Sequence, residues 1–363
     1  MGAVGRILLI IVVIAVIAVG AGFFLLPNTA SRSETVTIER PAQVVRARLA
    51  STPVGSQLAE GVTVAEAASA EGDTITVPLT FAEGETGRVI YTVQESGESS
   101  TVNIRLEQDL GGNPVARFTA IGGGPVSPLF EPTVASVSGD LNTLPNATFE
   151  GLQYVVEQVE ARPFFYVQNC SSSDPDSITS IISQAQAGIP PVMRTNSLTQ
   201  AGPLMAVEPR VVAGQYCFQV GYPYSGRQPR ALLFGQTGQT PGGTVLRMHY
   251  TGTEEDVLNA VYNPMDALLA AARLDDPATV EDDWTTYEIY HDDPTQAGGS
   301  RNRDIYYVVE GDISALTAIA APAAALAPAE PAASAEPAAD ATAPATPTPE
   351  TPETPAEPAP ATP

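Results

Sequence analysis

Lysine is absent: all 17 basic residues are arginine. That absence removes Schiff-base catalysis, the lysine of a phosphate-binding P-loop and any lysine-based acid–base device. Histidine is almost as scarce, with only His249 and His291 in 363 residues. No Gly-x-Ser-x-Gly elbow accompanies them, so a Ser-His-Asp or Cys-His nucleophile system lacks its parts. His291-Asp292-Asp293 reads as a strand end entering the turn at Pro294. Two cysteines, Cys170 and Cys217, form no Cys-x-x-Cys pair. A metal site built on them lacks suitably spaced partners; they either form one disulfide in an exported body or stay two buried thiols. The Gly-rich run from Gly235 to Gly243 has no following Lys-Ser/Thr and opens no helix, so it reads as a linker. No catalytic set, metal site or cofactor is expected.

Acid is what the chain has in excess, 41 Asp and Glu giving a net charge of −24. Only six of these acids fall in the terminal stretch from Ala321 to Pro363, so the acidity is general. Such a field disfavours nucleic acid and anionic headgroups and favours cationic partners.

Both ends stand apart. Residues Ile7 to Leu26 are twenty apolar or Gly positions without a charge, enough to cross about 30 Å of hydrocarbon. A cleaved signal peptide fits less well, because Asn28 stands two positions before the best small-residue exit, Ala30. The expectation is a short head (1–6) and a single-pass helix (7–26) in the inner (cytoplasmic) membrane. Arg32, Arg40 and Arg46 favour a cytoplasmic body by the positive-inside rule. The six-residue basic head resembles a signal anchor and favours a periplasmic body, which is the reading adopted. At the other end, residues 321–363 are nearly all Ala, Pro, Thr and Glu, without an aromatic or basic residue. Such a segment cannot offset its ordering entropy and is expected to be a disordered tether, available to a protein partner.

Between them two domains are expected, 33–161 and 162–311. The first opens with a strand from Thr35 and a helix begun by Pro41, with Val44, Val45 and Leu49 on one face. Strands follow around Thr74–Phe81, Arg88–Gln94, Thr101–Gln108 and Val115–Ile121, joined by Gly/Glu/Ser turns. A helix near Asn146–Val159, with Phe149, Leu152, Val155, Val156 and Val159 on one side, closes the domain. The second domain repeats an order: strand Pro163–Asn169, helix from Ser173 to about Gln186, strands to Val207 and Val212–Tyr222. Strand Thr244–Tyr250, helix Glu254–Arg273 and strands Trp284–Asp292 and Asp304–Glu310 then follow. Two tandem β-α-β-β units would bury two helices on one face of a shared sheet and leave a concave groove on the other.

The strand–Pro–helix opening, the meander and the closing Phe149-Glu-Gly-Leu-Gln-Tyr-Val-Val run resemble the START-like (SRPBCC) helix-grip fold, truncated. Tyr250-Thr-Gly, the Ala201-Gly-Pro turn and Tyr287-Glu-Ile-Tyr resemble the GyrI-like, bacterial effector-binding fold. The expected class is therefore α+β: transmembrane helix, truncated helix-grip domain, tandem β-α-β-β domain and disordered tail. The resemblance implies that Glu288 lies on a groove floor and engages cationic ligands.

Alternation in the strand from Trp284 places Trp284, Thr286, Glu288 and Tyr290 on one face. A carboxylate between large aromatics offers charge, apolar area and cation–π attraction to a cationic, flat or amphiphilic ligand, although a lone strand Glu most often faces water. Tyr166, Phe218 and Tyr222 complete the candidate wall. The expected function is a membrane-tethered binder of a small cationic or amphiphilic molecule. Two alternatives are a hydrolase or isomerase using Glu288 as general base and an interaction protein acting through its tail.

Overall fold

The run Thr74–Phe81 buries Ile75, Val77, Leu79 and Phe81 and turns the residues between them outward, a period-two strand. The computed structural model describes residues 28–323 apart from 83, 112–116, 118, 119, 121–123, 172–174, 213, 214, 230, 231, 275–284, 296–300 and 311. Strand β5 (Thr74–Phe81) pairs with β6 (Thr86–Ser96), and β6 with β7 (Ser99–Asp109). The β6–β7 hairpin closes on Gly97, whose φ of +65° suits a residue without Cβ. With β1 (Thr29–Ile38), β2 (Gln57–Ala59), β3 (Val62–Val64) and β4 (Ser69–Glu71) they make a seven-stranded antiparallel sheet in the order β1-β7-β6-β5-β3-β2, β4 pairing with β5. Helix α1 (Ala42–Ala50) buries Val44, Val45 and Leu49 against it, and α2 (Ser127–Asn142) buries Phe130, Val134, Val137 and Leu141.

The second sheet has nine strands. β8 (Val155–Val159) and β9 (Pro163–Ser171) precede α3 (Pro175–Thr195), then come β10 (Thr199–Gln200), β11 (Met205–Val212), β12 (Gln215–Ser225) and β13 (Gln236–Gln239). β14 (Gly243–Gly252) leads to α4 (Glu254–Val257), a π turn (Leu258–Tyr262) and α5 (Asn263–Ala271). The strands β15 (Thr286–Tyr290) and β16 (Arg301–Val309) and the helix α6 (Ser314–Ile319) end the described chain. The sheet order is β13-β9-β12-β11-β15-β16-β14-β8, with β10 on β12. The central six strands thus fall into two halves, β9-β12-β11 and β15-β16-β14, that meet at β11 and β15. Their meeting point pairs Ala206 with Glu288. Cross-strand partners share a face, so Glu288, Ile305 and Met248 look one way, while Tyr287, Tyr306 and Arg247 look the other.

One core runs from β1 through α1, α2 and α5 to β16 and α6. At the joint, Arg48 Nη1 donates to Ala270 O at 2.6 Å and Ser51 Oγ to Ala271 O at 2.5 Å. These are last-turn carbonyls of α5, beyond the reach of its regular i to i+4 ladder. Arg48 and Arg273 both grip the Asp140 carboxylate, at 2.6 and 2.9 Å. Burial alone would raise the Asp140 pKa, but the hydrogen bond from Arg48 and the charge of Arg273 together hold it below the ordinary carboxylate value.

Several expectations are corrected. The fold is predominantly antiparallel β in two sheets rather than the α+β class expected. Among the described residues no helix is long and apolar enough to cross a membrane. The longest, α3, is amphipathic, burying Ile182, Ala185, Ile189 and Met193 while Ser180, Gln184 and Arg194 face outward. The single-pass inner-membrane placement, with its periplasmic body, is therefore withdrawn; residues 7–26, on which it rested, lie outside the described residues, as does the tail from 324. The helix expected at 146–159 is irregular chain followed by β8, which pairs with β14. Its Val-Val-Glu-Gln-Val sequence is β-branched, and the open edge of β14 supplies the hydrogen-bond partners a strand needs. The helix expected to stop near Gln186 runs to Thr195 through Pro190 and Pro191, because its buried face continues to Met193. Most of the strand expected at 115–121 lies outside the described residues.

Candidate functional site

Helix formation after β14 starts at Thr253, whose side chain accepts from Asp256 N and caps the first turn. Eleven residues on, Pro264 has no N–H to offer Ala260, and its ring crowds that carbonyl. The helix responds by widening into the π turn, where Asn263 N reaches back five residues to Leu258 O. Tyr262 sits in this turn, and its hydroxyl donates to Glu288 Oε1 at 2.5 Å.

Glu288 is 4% exposed in the middle of β15. A buried carboxylate without partners is costly, and this one has several. Tyr290 Oη donates to Oε2 at 2.5 Å, and Arg303 Nη1, from β16, donates to the same oxygen at 3.0 Å. Arg303 is itself 2% exposed, and its guanidinium lies 5.7 Å from the centre of the Tyr250 ring. Tyr250 Oη in turn donates to Thr253 O, tying the pair to the helix cap. Tyr307 completes the wall: its ring is 6.3 Å from that of Tyr262, and its hydroxyl donates to Asp266 at 3.2 Å. The arrangement is a neutral carboxylate–guanidinium pair inside a cage of phenols.

The expected site residues are placed unequally. Thr286, Glu288 and Tyr290 do share a face, but it is the face covered by the helices. Phe218, Tyr222 and Tyr290 belong to one apolar cluster beneath α3. Burial, and secondarily Asp293, pushes the Tyr222 phenol above its ordinary pKa. Tyr166 is on the opposite face, stacked on Phe164 at 5.4 Å, and does not join the set. Trp284 lies outside the described residues. Cys170 and Cys217, direct partners across β9 and β12, are joined in a disulfide.

Arg303, Tyr262 and Tyr250 were not among the expected site residues. Arg303 alternates with Ile305 and Tyr307, a signal lost by starting that strand at Asp304. Pro264 inside a helical run was the signal for the turn that aims Tyr262. A cavity of about 400 Å³ beside the cluster is lined by Tyr250, Val261, Pro264 and Leu152 among others. Of the cage residues it is Tyr250 that lines this cavity, and His249 lines it too. A second cavity of about 480 Å³, lined by Ala47, Ala70, Ile75 and Ala318, lies away from Glu288.

No family model matches the chain, and no curated protein matches it. Solved structures do. SAV2435 bound to tetraphenylphosphonium aligns over 44% of this chain and 95% of its own at 9% identity, with a TM-score of 0.33. The EcmrR C-terminal domain aligns over 44% and 98% at 14% identity, with a TM-score of 0.33. The di-domain ARO/CYC protein BexL, from the BE-7585A biosynthetic pathway, aligns over 80% and 88% at 10% identity, with a TM-score of 0.23. At these TM-scores the likenesses carry no argument, and the functional reading rests on the side chains.

Proposed function

We propose that this chain is a small-molecule-binding protein whose site is the phenol cage around Glu288 and Arg303. Its ligands are cationic or amphiphilic. The observation that carries this reading is a 4%-exposed carboxylate held by two phenols and one guanidinium, with the neighbouring Tyr250 lining a cavity of ligand size. The rings of Tyr250, Tyr262, Tyr290 and Tyr307 supply apolar area and quadrupole attraction for a cation. A cationic ligand takes over the Glu288 charge from Arg303, whose guanidinium keeps its place over Tyr250. Entry runs through the neighbouring cavity, past the Tyr250 ring. General-base chemistry suits the cage poorly, because Glu288 already accepts three hydrogen bonds.

The test uses two probes of one shape and opposite charge. The full chain is titrated calorimetrically with tetraphenylphosphonium and with tetraphenylborate. Saturable binding of the cation alone, weakened about tenfold or more by Glu288→Gln (roughly 1.4 kcal/mol), is the expected result. Equal binding of both ions, or cation binding indifferent to Glu288→Gln, overturns the reading.

A further inference from the structure

The face of the second sheet opposite Glu288 holds a cluster that the phenol cage does not use. His249 on β14 is the direct cross-strand partner of Asp304 on β16. His291 follows β15, where its N–H donates to Asn302 O at 2.9 Å. His249 Nδ1 is 2.8 Å from Asp304 Oδ1, and His291 Nε2 is 3.0 Å from Oδ2. The only two histidines of the chain thus meet on the two oxygens of one carboxylate. Their ligand atoms all lie within 4.8 Å of one another.

The 2.8 and 3.0 Å spacings fit an ion, and the exposed rings must turn inward to bring the widest pair into range. Bonds of about 2.0–2.2 Å to imidazole nitrogen and carboxylate oxygen place neighbouring ligand atoms about 3 Å apart. The side chains of His249 and His291 are 55% and 39% exposed, so both rings are free to adjust and an ion can reach them, while Asp304 at 13% is anchored. Thr251 Oγ1 lies 3.5 Å from His249 Nε2, the ring nitrogen that stays outside the coordination sphere. Arg247 opposes the site, its Nη1 3.8 Å from Asp304 Oδ1. Glu157 on β8 draws that guanidinium away, at 2.8 Å, and leaves the Asp304 charge to the imidazoles. The fold does not demand this trio. At the topologically equivalent pair in the other half of the sheet, Gln168 faces Gln219.

We propose that His249, His291 and Asp304 bind one divalent first-row transition ion. Two imidazoles and one carboxylate select Zn²⁺ or Ni²⁺ over Mg²⁺ and Ca²⁺, and the remaining coordination positions face solvent. The acidic surface, at a net charge of −24, draws cations toward it.

Calorimetry of the full chain with zinc chloride at neutral pH is the test, with magnesium and calcium chloride as competitors. One equivalent of zinc should bind. Affinity should fall about tenfold or more in His249→Gln and in His291→Gln, and magnesium and calcium should not compete. Cobalt(II) loaded in place of zinc should show visible absorption bands that both variants lose. Because both rings are exposed, circular dichroism should show the variants folded, which separates ligand loss from unfolding. Absence of zinc binding, affinity unchanged in either histidine variant, or zinc binding abolished by Glu288→Gln would each overturn the proposal.

Discussion

Where the second half of the nine-stranded sheet sets Glu288 beside Ile305, with Arg303 two residues before it, the first half sets Ala206 beside Val220, with Phe218 in the place of Arg303. On the opposite face the same operation relates His249 and Asp304 to Gln168 and Gln219. The third pair runs the other way: the disulfide Cys170–Cys217 corresponds to Thr251 opposite Asn302. One topology therefore carries an apolar, covalently stapled half and a half in which charge is buried. The first half shows that packing at these positions is satisfied by Ala and Phe. A buried ion pair is a poor stabiliser compared with apolar residues of similar volume, so packing stability alone does not account for Glu288 and Arg303.

The comparison breaks most sharply at the ion pair. Arg303→Ala leaves Glu288 buried without its counter-charge and should cost about 3–5 kcal/mol in urea unfolding. The double variant Glu288→Ala/Arg303→Phe copies the first half and should return to within about 1–2 kcal/mol of the parent, while losing tetraphenylphosphonium binding. A double variant as unstable as Arg303→Ala alone would mean that the pair is structural. Next in size is the staple. Cys170→Ala/Cys217→Ala should lower stability by about 2–4 kcal/mol, read from the unfolding midpoint without reductant, and should leave ligand binding in the other half intact.

A smaller effect is expected where the second half meets the first sheet. Asp140→Asn should cost about 1–2 kcal/mol at neutral pH through its weakened bonds to Arg48 and Arg273. The Asp140 pKa is lowered in the folded state, so its contribution is complete above the unfolded value of about 3.9. It is lost as pH falls through the lower folded value, and parent and variant should converge there. The smallest effect belongs to the face opposite Glu288. His249→Gln, which copies Gln168, should change metal-free stability by less than about 0.5 kcal/mol, because the ring is exposed and glutamine already occupies the matching position.

Much of the strand pattern was legible. Alternation correctly put Thr286, Glu288 and Tyr290 on one face, and the order strand–helix–strand–strand from Thr244 onward matches the elements found. The failures share a cause. Phe149, Leu152, Val155, Val156 and Val159 fit a helical spacing, yet the last three residues of that set belong to a strand because β14 has a free edge to pair. The helix from Ser173 was expected to stop near Gln186, yet its apolar stripe runs on to Met193 because it has a sheet to cover. In each case the deciding partner is distant in sequence.

The same division holds for the site. By itself the sequence determined the acidity, the lack of lysine, the scarcity of histidine and the aromatic surroundings of Glu288, since composition and period-two alternation are local properties. Only the tertiary structure decided that Glu288 faces the helices, that Arg303 neutralises it and that Tyr262 reaches it from a π turn. It alone brought both histidines to Asp304. Strand order and register join these residues across long stretches of chain, and no local pattern encodes which strand will lie beside which.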